Sequence, residues 1–250
     1  MGELRAIPVR GIGEIKAGEA LAEKILAALK RQRRRLIRGD ILVVTHKVVS
    51  KAEGRVVPLA RVRPSARARR WARRHGLDAR VAELALSHSR RIVRMRRGIL
   101  ITETRHGFVC ANSGVDLSNV DGGTSAVLLP RDPDRSAAVL HRALKRKLRL
   151  SIPVIIADSF GRPWREGLCQ VAVGVAGMNA FRDFRGRRDP CGYRLRVTLE
   201  AVADELAGLA GLAGDKLSRT PACIVRGFPY RGGRGRARDL IRPRGRDLFR

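Results

Sequence analysis

The chain has 250 residues, of which 44% are hydrophobic and 30% charged, enough apolar material for a large folded unit and too much for a disordered polymer. No apolar run approaches the roughly 20 residues of a membrane-spanning helix. The opening MGELRAIPVRGIGE also lacks the apolar core of a signal peptide, so a cytoplasmic protein with no membrane partner is expected. The formal charge is +30, from 53 Lys and Arg against 23 Asp and Glu, but the excess is spread along the whole chain and aromatic residues are only 4%. Stacking platforms for bases are therefore scarce, and no helix-turn-helix, zinc-finger or RNP pattern is present. An Arg-rich nucleic-acid-binding protein stays as the alternative to a protein with small polyanionic ligands. Cys110, Cys169, Cys191 and Cys223 form no CxxC pair and indicate neither a zinc site nor a disulfide framework.

In chain order, residues 3–9 read as a first strand, followed by a turn at Gly11 and Gly13. Leu21, Ile25, Leu26 and Leu29 fall at helical spacing, with Lys and Arg gathering toward the C-terminus where the helix dipole favours them. ILVV at 41–44 reads as a buried strand running into THKVVSKAEGR, where His46, Lys47, Ser50 and Lys51 cluster. That cluster is either a ligand site at a strand end or a basic exposed loop. Residues 64–75 and 78–87 read as two helices, and RRIVRM, GILITET and GFVCAN as three strands. The segment Asn112 to Gly123 is too polar and Gly-rich for a core element; it is a surface loop or a loop that turns Asp116 and Asn119 toward a ligand.

LLPRDPDRSAA predicts strand, turn and helix start, with Asp132 and Asp134 near the N-terminus of a helix reaching about Lys147. The apolar run Ile152 to Ala157 then predicts a buried strand ending at Asp158-Ser159, before Gly161 and Pro163. A carboxylate beside a hydroxyl at a strand tip suits a hard cation, Mg²⁺ or Mn²⁺, with Arg162 and Arg165 near enough for phosphate. Asp and Ser also start ordinary turns, so both readings stand. LCQVAVGVAG predicts another strand, NAFRDFRGRRDPCGYRLR a basic loop with Asp183 and Asp189 paired by arginines, residues 194–212 a helix, and PACIVRG a last strand. Residues 1–250 read as one mixed α/β unit, with 227–250 a basic C-terminal arm.

GxxxxGK[ST], GxGxxG after a strand, HExxH and GxSxG are all absent, and the five histidines have no metal-ligand spacing. Enzyme chemistry here would rest on carboxylates, Lys and Arg, a profile suited to phosphoryl or acyl-phosphate transfer.

Read together, THKVVSKAEGR, NSGVDLSNVDGG, LLPRDPDRSA, ADSFGRPWREG, QVAVGVAGMNAFRDFRGRRDPCGYRLRVTLEAVADELA and PACIVRG, in that order, resemble the coenzyme F420-0:L-glutamate ligase family from about Val9 to Phe249. The tail looks like that of stand-alone bacterial members, without the nitroreductase-like domain fused to some relatives. The resemblance implies an unusual α+β fold in an intertwined homodimer, and GTP-dependent ligation of L-glutamate to coenzyme F420-0 through an acyl phosphate. It also implies Mg²⁺ or Mn²⁺ and a possible K⁺ requirement. Carried over, Asp116, Asp158 and Ser159 match the family's metal ligands, with Asp116 and Asp158 catalytic. Ile12, Gly13, Glu14, Ile15, His46, Lys47, Lys51 and Asn119 match its nucleotide contacts. Two departures stand out: Gly13-Glu14 replaces a Pro-containing pair, and Lys216 with Arg219 makes a usually acidic loop within Gly211 to Thr220 more basic.

Overall fold

The computed structural model describes residues 3–214 and 217–248; Lys216 and Phe249 lie outside them. It is a mixed α+β protein with several sheets. The chain runs β1 (Arg5–Val9), α1 (Leu21–Arg31), β2 (Ile41–Thr45), α2 (His46–Ala52), β3 (Val56–Pro58), α3 (Ala66–His75) and α4 (Ala79–Ser87). It continues through β4 (Ser89–Arg96), β5 (Ile99–Thr104), β6 (Val109–Ala111), β7 (Ser125–Val127), α5 (Pro133–Leu148), β8 (Val154–Arg162) and β9 (Arg165–Ala176). Last come β10 (Arg182–Asp183), β11 (Leu199–Glu200), α6 (Val202–Ala213) and β12 (Ala222–Arg226). No helix among the described residues is long and apolar enough to cross a membrane.

The main sheet has the order β1-β12-β2-β8-β9, in which only β2 and β8 run parallel. Ile41 to Val44 and Val154 to Ala157 are buried at every position, so both faces of this central pair are covered, as a continuous apolar run requires. Helix α5 packs along β8 and β9, and α6 along β9, β12 and β1. The seating is close: a Cβ on Gly174 of β9 would lie 2.3 Å from the carbonyl oxygen of Pro133, so only glycine fits. Asp132 caps α5 by accepting from the Arg135 N–H at 3.0 Å, and Lys145, Arg146 and Lys147 fill the last turn. Smaller sheets are β3-β7 and β4-β5-β6, and a second cluster joins Leu84 of α4 to Leu59, Ala126 and Leu128 in and beside the β3-β7 pair.

Four expectations change. The strand through Ile152 to Ala157 does not end at Asp158: β8 runs on to Arg162 and turns back into β9. Pairing with β2 stops at Thr45 and Ala157, so Asp158 and Ser159 lie on a two-stranded extension in which β8 is paired with β9 alone among the described residues. THKVVSK is not a loop but the start of a helix, and the strand before α5 is Ser125–Val127, ahead of Leu128 and Leu129. Helix α6 begins at Val202 and not near Arg194. The segment before it folds on itself instead, through Gly186 N–H to Leu195 O at 2.7 Å and Leu195 N–H to Arg187 O at 2.8 Å. Asp183 pairs with Arg185 as expected, whereas Asp189 accepts the backbone N–H groups of Cys191 and Tyr193.

The basic C-terminal segment lies along the body. One oxygen of Asp134, at the start of α5, accepts from Val175 of β9 at 2.9 Å and from Ala237 of the tail at 2.7 Å. Further on, Arg244 reaches the buried Glu103 at 3.0 Å. Beside the sheet, Asp40 is wholly buried and accepts from Arg226 Nε at 2.8 Å, Arg226 Nη2 at 2.9 Å and the Ile37 N–H at 2.8 Å. Arg226→Met leaves that carboxylate buried without its counter-charge and should cost about 3–5 kcal/mol of stability, read from urea unfolding at neutral pH. An unchanged midpoint would show that Asp40 is held in another way.

Candidate functional site

The site begins where β2 ends. Thr45 has an extended backbone, and α2 starts at the next residue, so His46 and Lys47 occupy a first helical turn at the C-terminal end of a parallel strand pair. Residues four apart on a helix share a face. His46 and Ser50 point inward and are buried, while Lys47 and Lys51 reach out to the loop between β6 and β7. Past the line where β2 stops, β8 brings Asp158 and Ser159 to the same place.

Lys47 Nζ donates to Asp116 Oδ2 at 2.8 Å and to Ser118 at 2.5 Å (Oγ) and 3.2 Å (carbonyl). Asp116 Oδ1 accepts the Ser118 N–H at 2.7 Å, and its backbone bridges Val127 of β7 in both directions. This fixes the loop. Burial pushes the Asp116 carboxyl up, but the Lys47 hydrogen bond, the Ser118 N–H and the Lys47 charge outweigh it and hold the carboxyl below the usual aspartate range. Lys51 Nζ donates to Asn119 O at 3.0 Å and to Glu14 Oε1 at 2.5 Å.

Asp158 Oδ1 lies 3.2 Å from His46 Nε2 and accepts the Ser159 N–H at 2.7 Å. His46 is 1% exposed, and neither ring nitrogen makes an aligned hydrogen bond among the described residues. Asp158 Oδ2 likewise has no hydrogen-bond donor among them. The Ser159 hydroxyl accepts from Gln170 Nε2 at 2.7 Å across the β8–β9 ladder. Cys110 is close enough to feel Asp158; burial, reinforced by that charge, pushes its thiol up to about 12 and removes it as a nucleophile.

The expected residues therefore assemble around one short helix, with Glu14, Asn119 and Asp116 meeting Lys51 and Lys47 while Asp158 meets His46. Ile12 and Ile15 differ from expectation: their side chains are buried in the core, so that turn can offer a ligand only its backbone and Glu14. The turn is pinned by α1, whose last residue Arg31 donates to Gly11 O and whose C-cap Gln32 donates to Arg10 O. Arg162 donates to Glu166 O at 3.0 Å and closes the hairpin. Ser118 and Gln170 were not singled out beforehand. The signal for Gln170 was available, as a lone amide inside an apolar strand.

No group of three or more His, Cys, Asp and Glu that could hold a metal ion converges among the described residues. Asp116, Asp158 and Ser159 each offer oxygen, the donor type hard cations take. Asp158 Oδ2 accepts no hydrogen bond among the described residues and is left open to a ligand.

A sequence model of the family described as F420-0:Gamma-glutamyl ligase matches residues 11–227. The chain is 44% identical over 247 residues to a coenzyme F420:L-glutamate ligase of Methanothermobacter thermautotrophicus, covering 98% of each chain. It is 42% identical over 253 residues to the protein of the same name in Methanopyrus kandleri, covering 99% of this chain and 98% of the relative. A third, from Methanocaldococcus jannaschii, is 41% identical over 213 residues and 85% of each chain. With a family match over most of its length and relatives of this similarity aligned nearly end to end, the chain belongs to the F420-0:gamma-glutamyl ligase family, a family of ligases.

Proposed function

We propose that this chain attaches L-glutamate to coenzyme F420-0, spending GTP and requiring Mg²⁺ or Mn²⁺, with a possible K⁺ requirement, and can add further γ-linked glutamates. The observation that carries the reading is the short helix α2, whose Lys47 meets Asp116, whose Lys51 meets Glu14 and Asn119, and whose His46 lies beside Asp158. Phosphoryl transfer asks little covalent chemistry of a protein and much positioning and charge neutralisation, and this cluster supplies both.

In this reading the γ-phosphoryl group of GTP passes to a carboxylate oxygen of the acceptor, and GDP leaves. The glutamate amine then attacks the acyl carbon, forming the amide, expelling phosphate and losing a proton. Asp116, Asp158 and Ser159 would hold the divalent ion, which when bound neutralises phosphate charge. Lys47 keeps Asp116 ionised and its loop in place. Lys51 is the phosphate-facing cation and must give up Glu14 to serve, while Asn119 and the Gly13 backbone border the same space.

We further propose one ligase unit over residues 1–250 working as a cytoplasmic homodimer. Trp164, 78% exposed at the β8–β9 turn, with Leu168, Tyr193 and Val197, gives apolar surface for a second copy.

Incubation with F420-0, GTP, Mn²⁺ and L-glutamate should add a glutamyl mass to the cofactor, and Asp158→Ala should abolish the increment with the circular dichroism unchanged. No increment under any divalent ion would sink the reading. Glu14→Gln releases Lys51 and should lower KM for GTP by at most about fivefold, since an exposed ion pair contributes no more than ~1 kcal/mol; a raised KM would mean that Glu14 itself aids binding. Because the Asp116 carboxyl is depressed, its contribution to stability is present above the unfolded aspartate value of about 3.9 and is lost as pH falls through the lower folded value. Lys47→Met should move the Asp116 titration upward in carboxyl NMR and start the acid loss of stability at higher pH. An unmoved titration would assign the depression to the Ser118 N–H alone.

A further inference from the structure

Away from the α2 cluster, two cavities of about 360 and 570 Å³ meet at Arg105, His106 and Arg131 and form one trough. Arg55 stands on the inner wall, and the outer wall is the C-terminal segment with Arg238, Arg242 and Arg244. Among the described residues two carboxylates line it, and both are engaged. Glu103 is held by Arg91 at 3.2 Å and Arg244 at 3.0 Å, and Asp132 caps α5. Arg55, Arg105, Arg131 and Arg242 enter no ion pair among the described residues.

The inner cations are fixed by uncharged groups. Arg55 Nε donates to Leu129 O at 3.2 Å and Arg105 Nη2 to Ser87 O at 3.1 Å. His106 Nε2 is 3.0 Å from Arg131 O, and its buried Nδ1 has no partner among the described residues. Burial, followed by the like charges of Arg131 and Arg105, draws the Arg55 guanidinium below its ordinary value despite Glu53 nearby. Guanidinium groups gathered with only Glu53 near them among the described residues mark a place where a further anion lowers the energy.

The trough is joined to the reaction cluster through its framework. Arg55 lies just beyond the C-terminal end of α2, whose seven residues span roughly 10 Å from the turn carrying His46 and Lys47. Ser113 and Leu128, both lining the inner cavity, flank the Asp116–Val127 bridge. The cations are distributed over both cavities, Arg55 in the inner one, Arg105 and Arg131 shared, and Arg242 in the outer one, which suits a ligand with anionic groups at intervals. Among the described residues neither cavity is lined by Phe, Tyr or Trp, so a base-stacking ligand is poorly served by them.

We propose that this trough binds a γ-glutamyl chain, its successive carboxylates paired with Arg105 and Arg131 at the waist and Arg242 on the tail wall. This rests on the ligase reading, and it gives the C-terminal segment a role in holding the growing tail while the terminal carboxylate reacts at the α2 cluster.

The test is calorimetric titration of the full chain with γ-L-glutamyl tetrapeptide, and separately with inorganic pyrophosphate as a compact anion. The wild-type chain should bind the peptide saturably and more tightly than pyrophosphate. Arg105→Gln with Arg131→Gln should weaken the peptide at least about tenfold, the loss expected for charge-assisted hydrogen bonds. Arg242→Gln, on the other wall, should weaken it in the same direction with an unchanged melting temperature, which keeps the test valid if the double variant fails to fold. Equal affinities in the variants, no saturable binding by the wild type, or tighter binding of pyrophosphate would each overturn the proposal. Peptide binding needs no turnover, so glutamyl transfer without peptide binding overturns the trough alone. Peptide binding that the substitutions abolish, in a chain that transfers no glutamate, overturns the ligase reading and leaves the trough.

Discussion

The pairing of β2 with β8 stops at Thr45 and Ala157, and the polar machinery lies just past that line. A parallel pair delivers two chain segments in the same direction, so whatever follows each strand arrives at one edge of the sheet. Here one strand becomes a helix at once and the other continues as a hairpin, which puts His46 and Asp158 side by side without a long loop. The apolar stretch before each residue is buried at every position, which gives the edge a rigid base. The loop carrying Asp116 is less regular, but its bridge to Val127 and its bonds to Lys47 tie it to the same base.

The electrostatics follow from this geometry. The cluster alternates sign: Glu14 against Lys51, Lys47 against Asp116, and His46 beside Asp158. Each charge is partly answered, so the cluster is tolerable without ligand, yet Lys51 and Asp158 keep capacity for one. The large positive charge of the chain is of a different kind. Most of it is solvated surface that raises the encounter rate of acidic ligands, more strongly at low salt.

The sequence was most legible where one periodicity ran uninterrupted. The buried strand at 41–44 and the amphipathic α1 with Leu21, Ile25 and Leu29 follow directly from apolar spacing. The helices read at 64–75, at 78–87 and from Asp132 start close to where they occur, with Ser65, Asp78 and Asp132 as their caps. Helix α2 was hidden because seven residues give barely two turns, too few for a helical period to emerge after a strand. The run of β8 through Asp158 was hidden because strand length depends on the partner, and β9 continues where β2 does not. The site residues were individually visible as polar interruptions, but their convergence depends on the register of distant strands. At Ile12 and Ile15 the motif position did not reveal that the side chains turn into the core and leave the backbone outward.

The order of the main sheet bears on how the chain reaches this state. Among the described residues β1 has β12 as its sole neighbour in the sheet, and β12 is made after the sheet's other strands. The first strand therefore has no ladder to join until more than two hundred residues have been made, and β2 keeps an open edge for as long. A topology closed by its two ends favours slow, late consolidation over sequential folding. The half-built protein would present bare strand edges during that interval, a setting in which a dense coat of like charges would discourage one nascent chain from pairing with another.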